Sequence, residues 1–281
     1  MRQFYSRVER LGEVDSTQRL VREWLADGLP EVAIATADVQ TAGRGRHGRD
    51  WQAPPGTALL LSAGFRPPPS VAPRQGWRLG ATVALAMLDA AEAAAGLRDE
   101  ALWLKWPNDI VAEASDGIPR KVAGVLGEVV AAPGSEAIEA AIVGIGVNAD
   151  WAATDFPADL RQAMTSLREL AGGRPIDREQ LLDEFLARLE PRYLALRDGR
   201  FDAGAWSRRQ LTTGRQVEVS LGAESLTGRA TGVDPDSGAL LIEHDGTRQA
   251  IDSGEVTRCR LLAGLEPRHR RDSTAAAQES A

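Results

Sequence analysis

A chain of 281 residues with 43% hydrophobic content can bury a sizeable core, as one fair-sized domain or as a larger domain with a small appendage. Its net charge of −7 argues against a protein whose main partner is the phosphate backbone of nucleic acid, because such proteins carry a basic footprint. The single cysteine, Cys259, has no partner for a disulfide or a zinc site, and no stretch approaches the ~18 apolar residues of a membrane span, so a cytoplasmic protein is expected.

In chain order, DSTQRLVREWLADG (15–28) opens on capping residues, places Leu20, Val21, Trp24 and Leu25 at helical spacing and stops at Gly28. This predicts a helix with an accessible polar N-terminus. VAIATADV (32–39) and TALLLSAGF (57–65) predict core strands, joined by the glycine- and arginine-rich stretch TAGRGRHGRDW (41–51). Glycine lets a backbone approach a ligand closely, and arginine offers a planar fork of donors to phosphate or carboxylate. The loop is therefore a candidate anion site, with a solvated surface loop and an RGG-like RNA-binding segment as the alternatives. Its crowded cations lack an apolar anchor, which predicts a loop that stays loose until an anion arrives.

PPPSVAPR (67–74) reads as a surface turn, GWRLGATVALAMLDAAEAAAG (76–96) as a long, mostly buried helix, and ALWLKWP (101–107) as a strand. KVAGVLGEVVAA (121–132) and EAIEAAIVGIGVN (136–148) predict two neighbouring strands that project Lys121 and Asn148 from sheet ends, with glycines where another backbone or a ligand comes close. An amphipathic helix over 177–199 and a short helical segment around Trp206 follow. From residue 211 the short runs RQVEVS, LTGRATGVD, ALLIEH, TRQAIDSGEV and TRCRLL predict a small all-β module of barrel size. Residues 265–281 carry no apolar periodicity and are expected to be a disordered tail.

Of the 33 basic residues only two are lysines, Lys105 and Lys121, and the only asparagines are Asn108 and Asn148. All four fall in three short motifs: LKWPND (104–109), RKVAGVLGE (120–128) and GIGVN (144–148). Arginine serves this chain wherever any cation will do, so the remaining lysines mark places where a compact ammonium is required.

Read in order, DSTQ, QTAGRGRHGRDW, LKWPNDI, RKVAGVLGE and GIGVN, followed by a small β-barrel, resemble the bacterial biotin–protein ligases over about the first 260 residues. The resemblance implies an α+β fold: a catalytic domain with a mixed sheet, related to class II aminoacyl-tRNA synthetases, over 1–210, and an SH3-like barrel over 211–264. Many relatives carry an N-terminal winged helix-turn-helix. Here DST arrives at residue 15, so the expectation is the monofunctional form, without DNA as a partner. The implied substrates are biotin and ATP with Mg²⁺, joined as biotinyl-5′-adenylate with release of pyrophosphate. The implied acceptor is a lysine of a biotin carboxyl carrier protein or carrier domain. Monomer and homodimer are both compatible with the sequence.

By the same resemblance Gln40, Gly43, Arg44, Gly45 and Arg46 form the biotin and adenylate loop, and Trp51 is an aromatic that covers the adenine. Ser16 and Thr17 match hydroxyls that hold the ureido ring, although DST is equally an ordinary helix N-cap. Gln18 stands where the family usually has asparagine, which moves that contact. Lys121, with Arg46, takes the catalytic role at the biotin carboxylate and phosphoryl oxygens. Lys105, Asn108 and Asp109 match a segment near the triphosphate and its metal, with Asp109 as the candidate Mg²⁺ ligand or a partner to the metal's bound water. Gly124 and Asn148 complete the implied binding residues, while Trp106 is read as core. Close strand packing is the favoured explanation of Asn148, Gly144 and Gly146. His47 has no carboxylate motif to orient it and is not expected to be a general base. A lipoate or octanoate transferase is the nearest rival, opposed by the absence of GGG and HGPGQ-like stretches.

Overall fold

The computed structural model describes residues 4–132, 134, 137–253, 256 and 258–262. The expected tail over 265–281 lies outside them. Seven strands form a mixed sheet: β1 (Arg7–Val14), β2 (Ala33–Gln40), β3 (Ala58–Phe65), β4 (Leu102–Lys105), β5 (Asp109–Glu113), β6 (Pro119–Ala131) and β7 (Ile138–Asn148). Their order is β1-β2-β3-β7-β6-β5-β4, with β1 parallel to β2 and every other neighbouring pair antiparallel.

Helix α1 (Thr17–Ala26) turns Val21, Trp24 and Leu25 onto one face of the sheet, against Ala33, Ala35, Ala140 and Ile142. The other face is larger and more apolar. There α2 (Trp77–Ala94) and α4 (Arg178–Arg197) bury Leu85, Leu88, Phe185 and Tyr193 against Ile34, Leu61, Val143 and Ile145. The alanines of α2 let this helix lie close to the strands, and its hydrophobic run matches the long buried helix read from sequence. Two short helices, α3 (Leu167–Leu170) and α5 (Ala203–Arg208), bridge the remaining connections.

A second sheet of five antiparallel strands follows: β8 (Gln216–Leu221), β9 (Glu224–Val233), β10 (Leu240–His244), β11 (Thr247–Ile251) and β12 (Arg258–Leu261), in the order β11-β10-β9-β8-β12. Alternate side chains, among them Val217, Val219, Ala230, Leu240 and Ile242, point inward and form its own core. The all-β module expected from residue 211 is this sheet.

The two sheets are fastened together at three levels. The chain entering the barrel runs beside β4, with Leu104 N–H donating to the Arg209 carbonyl and Leu211 N–H to the Leu104 carbonyl, both at 2.8 Å. Glu92 on α2, 6% exposed, accepts from Leu102 N–H at 2.8 Å and from Arg209 at 2.6 Å, so the buried carboxylate is paired. Trp106, 2% exposed, inserts into the barrel core, where its indole N–H donates to the Gly238 carbonyl at 3.0 Å. Its backbone N–H is accepted by the Thr212 hydroxyl at 3.0 Å. The core reading of Trp106 holds, with the difference that the core it joins is the barrel's.

Candidate active site

Period two along β7 puts Ile142, Gly144 and Gly146 on the same face, yet the apolar side chains of α1 reach only the first of them, with Gln18 of its first turn over Gly144. Beyond its N-terminus the sheet is bare backbone: Gly144 lies opposite Ser62 on β3, and Gly146 opposite Gly124 on β6. This unfilled strip is the floor of a cavity of about 530 Å³. A Cβ at Gly146 would sit 2.6 Å from the indole nitrogen of Trp51, and one at Gly124 would sit 2.9 Å from Lys121 Nζ. The glycines are thus required for close approach.

One end of the cavity is built from neutral hydrogen-bonding groups. Ser16 caps α1 by accepting from Arg19 N–H at 3.3 Å, so the capping role exists whatever else the hydroxyl does. Gln40 Oε1 accepts from the Thr17 N–H at 2.8 Å and from its hydroxyl at 3.0 Å, and the Thr17 and Ser62 hydroxyls meet at 2.8 Å. Gln18 reaches across to the strand, its amide donating to the Leu126 carbonyl at 3.3 Å. Its oxygen lies 3.0 Å from where a Cβ on Gly144 would stand.

The other end is charged. Lys121 Nζ lies 2.6 Å from Asp109 Oδ1, and Lys105 Nζ lies 4.0 Å from Asp109 Oδ2. Asp109 begins β5 and Lys105 ends β4, so the KWPND turn places both at the rim. Asn108 locks that turn to β6: its side chain donates to the Val125 carbonyl at 3.0 Å, and Val125 N–H donates to its carbonyl at 2.8 Å. Lys121 is held from the far side by a parallel bridge to Met164, with its N–H on the Ala163 carbonyl at 2.8 Å.

The glycine–arginine loop roofs the cavity. It closes as a narrow ribbon, with Gly45 N–H on the Arg49 carbonyl at 2.6 Å and Trp51 N–H on the Gly43 carbonyl at 2.9 Å. Arg46 donates to the barrel carbonyls of Ser253 and, at 3.1 Å, Val256, and burial lowers its guanidinium pKa. The sequence shows no apolar anchor for this loop, and the structure gives it two polar ones, its own ladder and the barrel. Neither carries a local signal, because both acceptors are backbone carbonyls.

Trp51 lies against the glycine floor, where its ring centroid is 5.3 Å from Lys121 Nζ, within cation–π range. Its indole N–H is buried and has no acceptor among the described residues.

Of the residues expected at the site, Ser16, Thr17, Gln18, Gln40, Arg44, Gly45, Arg46, Trp51, Lys105, Asn108, Asp109, Lys121 and Gly124 line this cavity. Two do not. Gly43 is packed instead against its own hairpin, where a Cβ would meet the Trp51 carbonyl at 2.6 Å. Asn148, 1% exposed, is turned into the protein and donates to the Thr165 carbonyl at 3.1 Å, so it braces the segment beside Lys121. Sequence reasoning missed Ser62, hidden in an apolar strand, and the segment containing Leu160, Ala163 and Met164, which forms a further wall. Only the alternation of β3 could have flagged Ser62.

Asp109 is a poor stand-alone metal ligand. Its two oxygens face ammonium groups, and no cluster of three His, Cys, Asp or Glu occurs among the described residues. His47 Nε2 meets the Val256 carbonyl at 2.7 Å, not a carboxylate, which agrees with its exclusion as a general base. Among the described residues no helix is long and apolar enough to cross a membrane.

A glycine-floored cavity roofed by a basic loop, beside a small barrel, defines a class shared with known proteins. The profile of the biotin/lipoate A/B protein ligase family matches residues 11–148, and that of the biotin protein ligase C-terminal domain matches residues 212–257. The biotin–[acetyl-CoA-carboxylase] ligase of Paracoccus denitrificans is 33% identical over 255 residues, covering 88% of this chain and 98% of the relative. That of Mycobacterium tuberculosis is 32% identical over 229 residues, covering 81% and 79%. The structure of Aquifex aeolicus biotin protein ligase in complex with biotin and ATP superposes with a TM-score of 0.74 at 28% identity, covering 91% of this chain and 99% of that one. The chain belongs to the biotin–protein ligase family, and it is a ligase.

Proposed function

We propose that this enzyme joins the carboxylate of biotin to the α-phosphate of ATP, releasing pyrophosphate, and then transfers biotin from the adenylate to one lysine of a biotin carboxyl carrier domain. The carrying observation is the position of Lys121, which stands between a neutral end built from Ser16, Thr17, Gln18 and Gln40 and a basic rim built from Arg46 and Lys105. A bicyclic ureide suits the neutral end, where amide and hydroxyl groups supply donors and acceptors without charge. Its carboxylate then points toward Lys121.

In the first step the carboxylate oxygen attacks the α-phosphorus and the bond to pyrophosphate breaks. The substrate is its own nucleophile, so the protein's task is to bring two anions together and stabilise the charge developing on the phosphoryl oxygens. Lys121 supplies a compact ammonium at that junction, and Asp109 orients it. Arg46 and Lys105 exchange neutral carbonyl partners for phosphate oxygens, which are stronger acceptors because they are charged. Trp51 offers an apolar face for the adenine and an unsatisfied N–H. In the second step the neutral ε-amine of the acceptor attacks the acyl carbon, AMP leaves, and the amine proton passes to solvent or to the departing phosphate. A divalent cation would take most of its ligands from the triphosphate and would offset part of its negative charge.

The test is mass spectrometry of a carrier-domain peptide after incubation with biotin and ATP. Addition of one biotinyl group to a single lysine is expected. No modification with biotin, together with modification when lipoate replaces it, would move the protein to the other branch of the matched family.

A further inference from the structure

Three basic side chains of the site end on the same short piece of the barrel. Arg46 donates to the carbonyls of Ser253 and Val256, His47 Nε2 lies 2.7 Å from the Val256 carbonyl, and Lys105 donates to the Cys259 carbonyl at 2.9 Å. Arg46 and Lys105 have a reason to leave these neutral acceptors when an anion enters the cavity. His47 has a different position. It sits at the tip of the loop with φ 57° and ψ 36°, in the left-handed region that a non-glycine residue holds only where its surroundings impose it. It is not part of the Lys121, Lys105 and Asp109 cluster.

We propose that His47 is a positioning residue that fastens the tip of the glycine–arginine loop to the C-terminal barrel, so that the roof stays closed while Arg46 changes partners. This rests on the reading of the loop as the cover of an acyl-adenylate. Nε2 must carry a proton to donate to the carbonyl, and both the neutral Nε2–H tautomer and the imidazolium meet that requirement. His47 neither gives nor takes a proton during the reaction. The consequence is that retention of the intermediate depends on a contact between the two modules that touches no reacting atom.

The test uses the full chain with His47→Ala and His47→Gln, since glutamine keeps an N–H donor and suffers the same left-handed backbone. In the ligand-free protein, hydrogen exchange of the amides over 44–50 should rise about three- to tenfold in His47→Ala, the scale of one hydrogen bond's net contribution, and stay within about twofold of the parent in His47→Gln. With biotin and ATP, escape of free adenylate should rise by a similar factor in His47→Ala, while the single-turnover rate of adenylate formation changes by less than about twofold. Parent-like exchange in His47→Ala would overturn the proposal, as would equal rises in both variants, which would trace the effect to packing and not to the donor. If the parent forms no adenylate, the proposed function fails, and the exchange measurement still decides the role of His47.

Discussion

Lys121→Arg keeps the charge and changes the shape, which makes it the sharpest probe of the site. The Lys121 ammonium fills a slot with Asp109 Oδ1 at 2.6 Å, the Trp51 ring centroid at 5.3 Å and the backbone of Gly124 behind it, where even a Cβ would stand 2.9 Å from Nζ. A guanidinium is planar and larger, so it must push the indole off the floor or surrender the carboxylate. Overpacking in a closed core costs about 1–3 kcal/mol, but the Lys121 side chain is 27% exposed at a cavity edge and the loop can yield, so folding should survive. Asp109 is not orphaned either, because Lys105 remains 4.0 Å away. The loss falls on the transition state, where deleting one oriented electrostatic contact costs about 10²–10³ in rate. Biotin-dependent exchange of pyrophosphate into ATP measures it. Lys121→Arg and Lys121→Gln should both fold, bind ATP and lose exchange to that extent. Near-normal exchange in Lys121→Arg would refute the reasoning and reduce the lysine to any cation.

Gly146→Ala places a methyl 2.6 Å from the Trp51 indole nitrogen, so the ring should lift and nucleotide affinity fall by about 10- to 100-fold with little change in the unfolding midpoint; calorimetric titration with parent-like affinity would contradict the geometry. Trp106→Ala empties the barrel core and removes the indole's hydrogen bond to the Gly238 carbonyl, and urea denaturation should register a loss of about 3–5 kcal/mol. An unchanged midpoint would mean that the barrel does not need the indole. Burial pushes the Cys259 thiol up to about 11, so the reactive thiolate is scarce at pH 8 and alkylation should accelerate about tenfold per pH unit up to pH 10. A rate at pH 8 equal to that of the unfolded chain would show the thiol to be open.

The long apolar periods were legible in the sequence. The α1 and α2 helices, the β2 and β3 strands, the β6/β7 pair and the five-stranded barrel all follow from hydrophobic spacing. Two strands were not. RVERLGEV is β1, an edge strand of exposed and half-buried residues with four charges, and it carries no apolar period. DIVAE is β5, too short to carry a period and tucked directly behind the KWPND turn. Within the site, scarcity picked out Lys105 and Lys121 because this chain otherwise uses arginine. The same argument overreached for Asn148, whose rarity reflects a buried brace and not a wall of the cavity. What no local pattern could reveal was the set of contacts between distant backbone carbonyls and the basic loop.

The floor of the cavity is already stripped to backbone at Gly124, Gly144 and Gly146, so mutation there has one direction open to it. Any replacement makes the chamber shallower, and none makes it deeper. Variants that favour smaller acids therefore lie a single residue change away, whereas a bulkier acid must be accommodated by raising the roof over 43–51 or trimming the wall at Leu160 and Met164. Diversification of a ligase built in this way should appear as restless loops above an unchanging sheet.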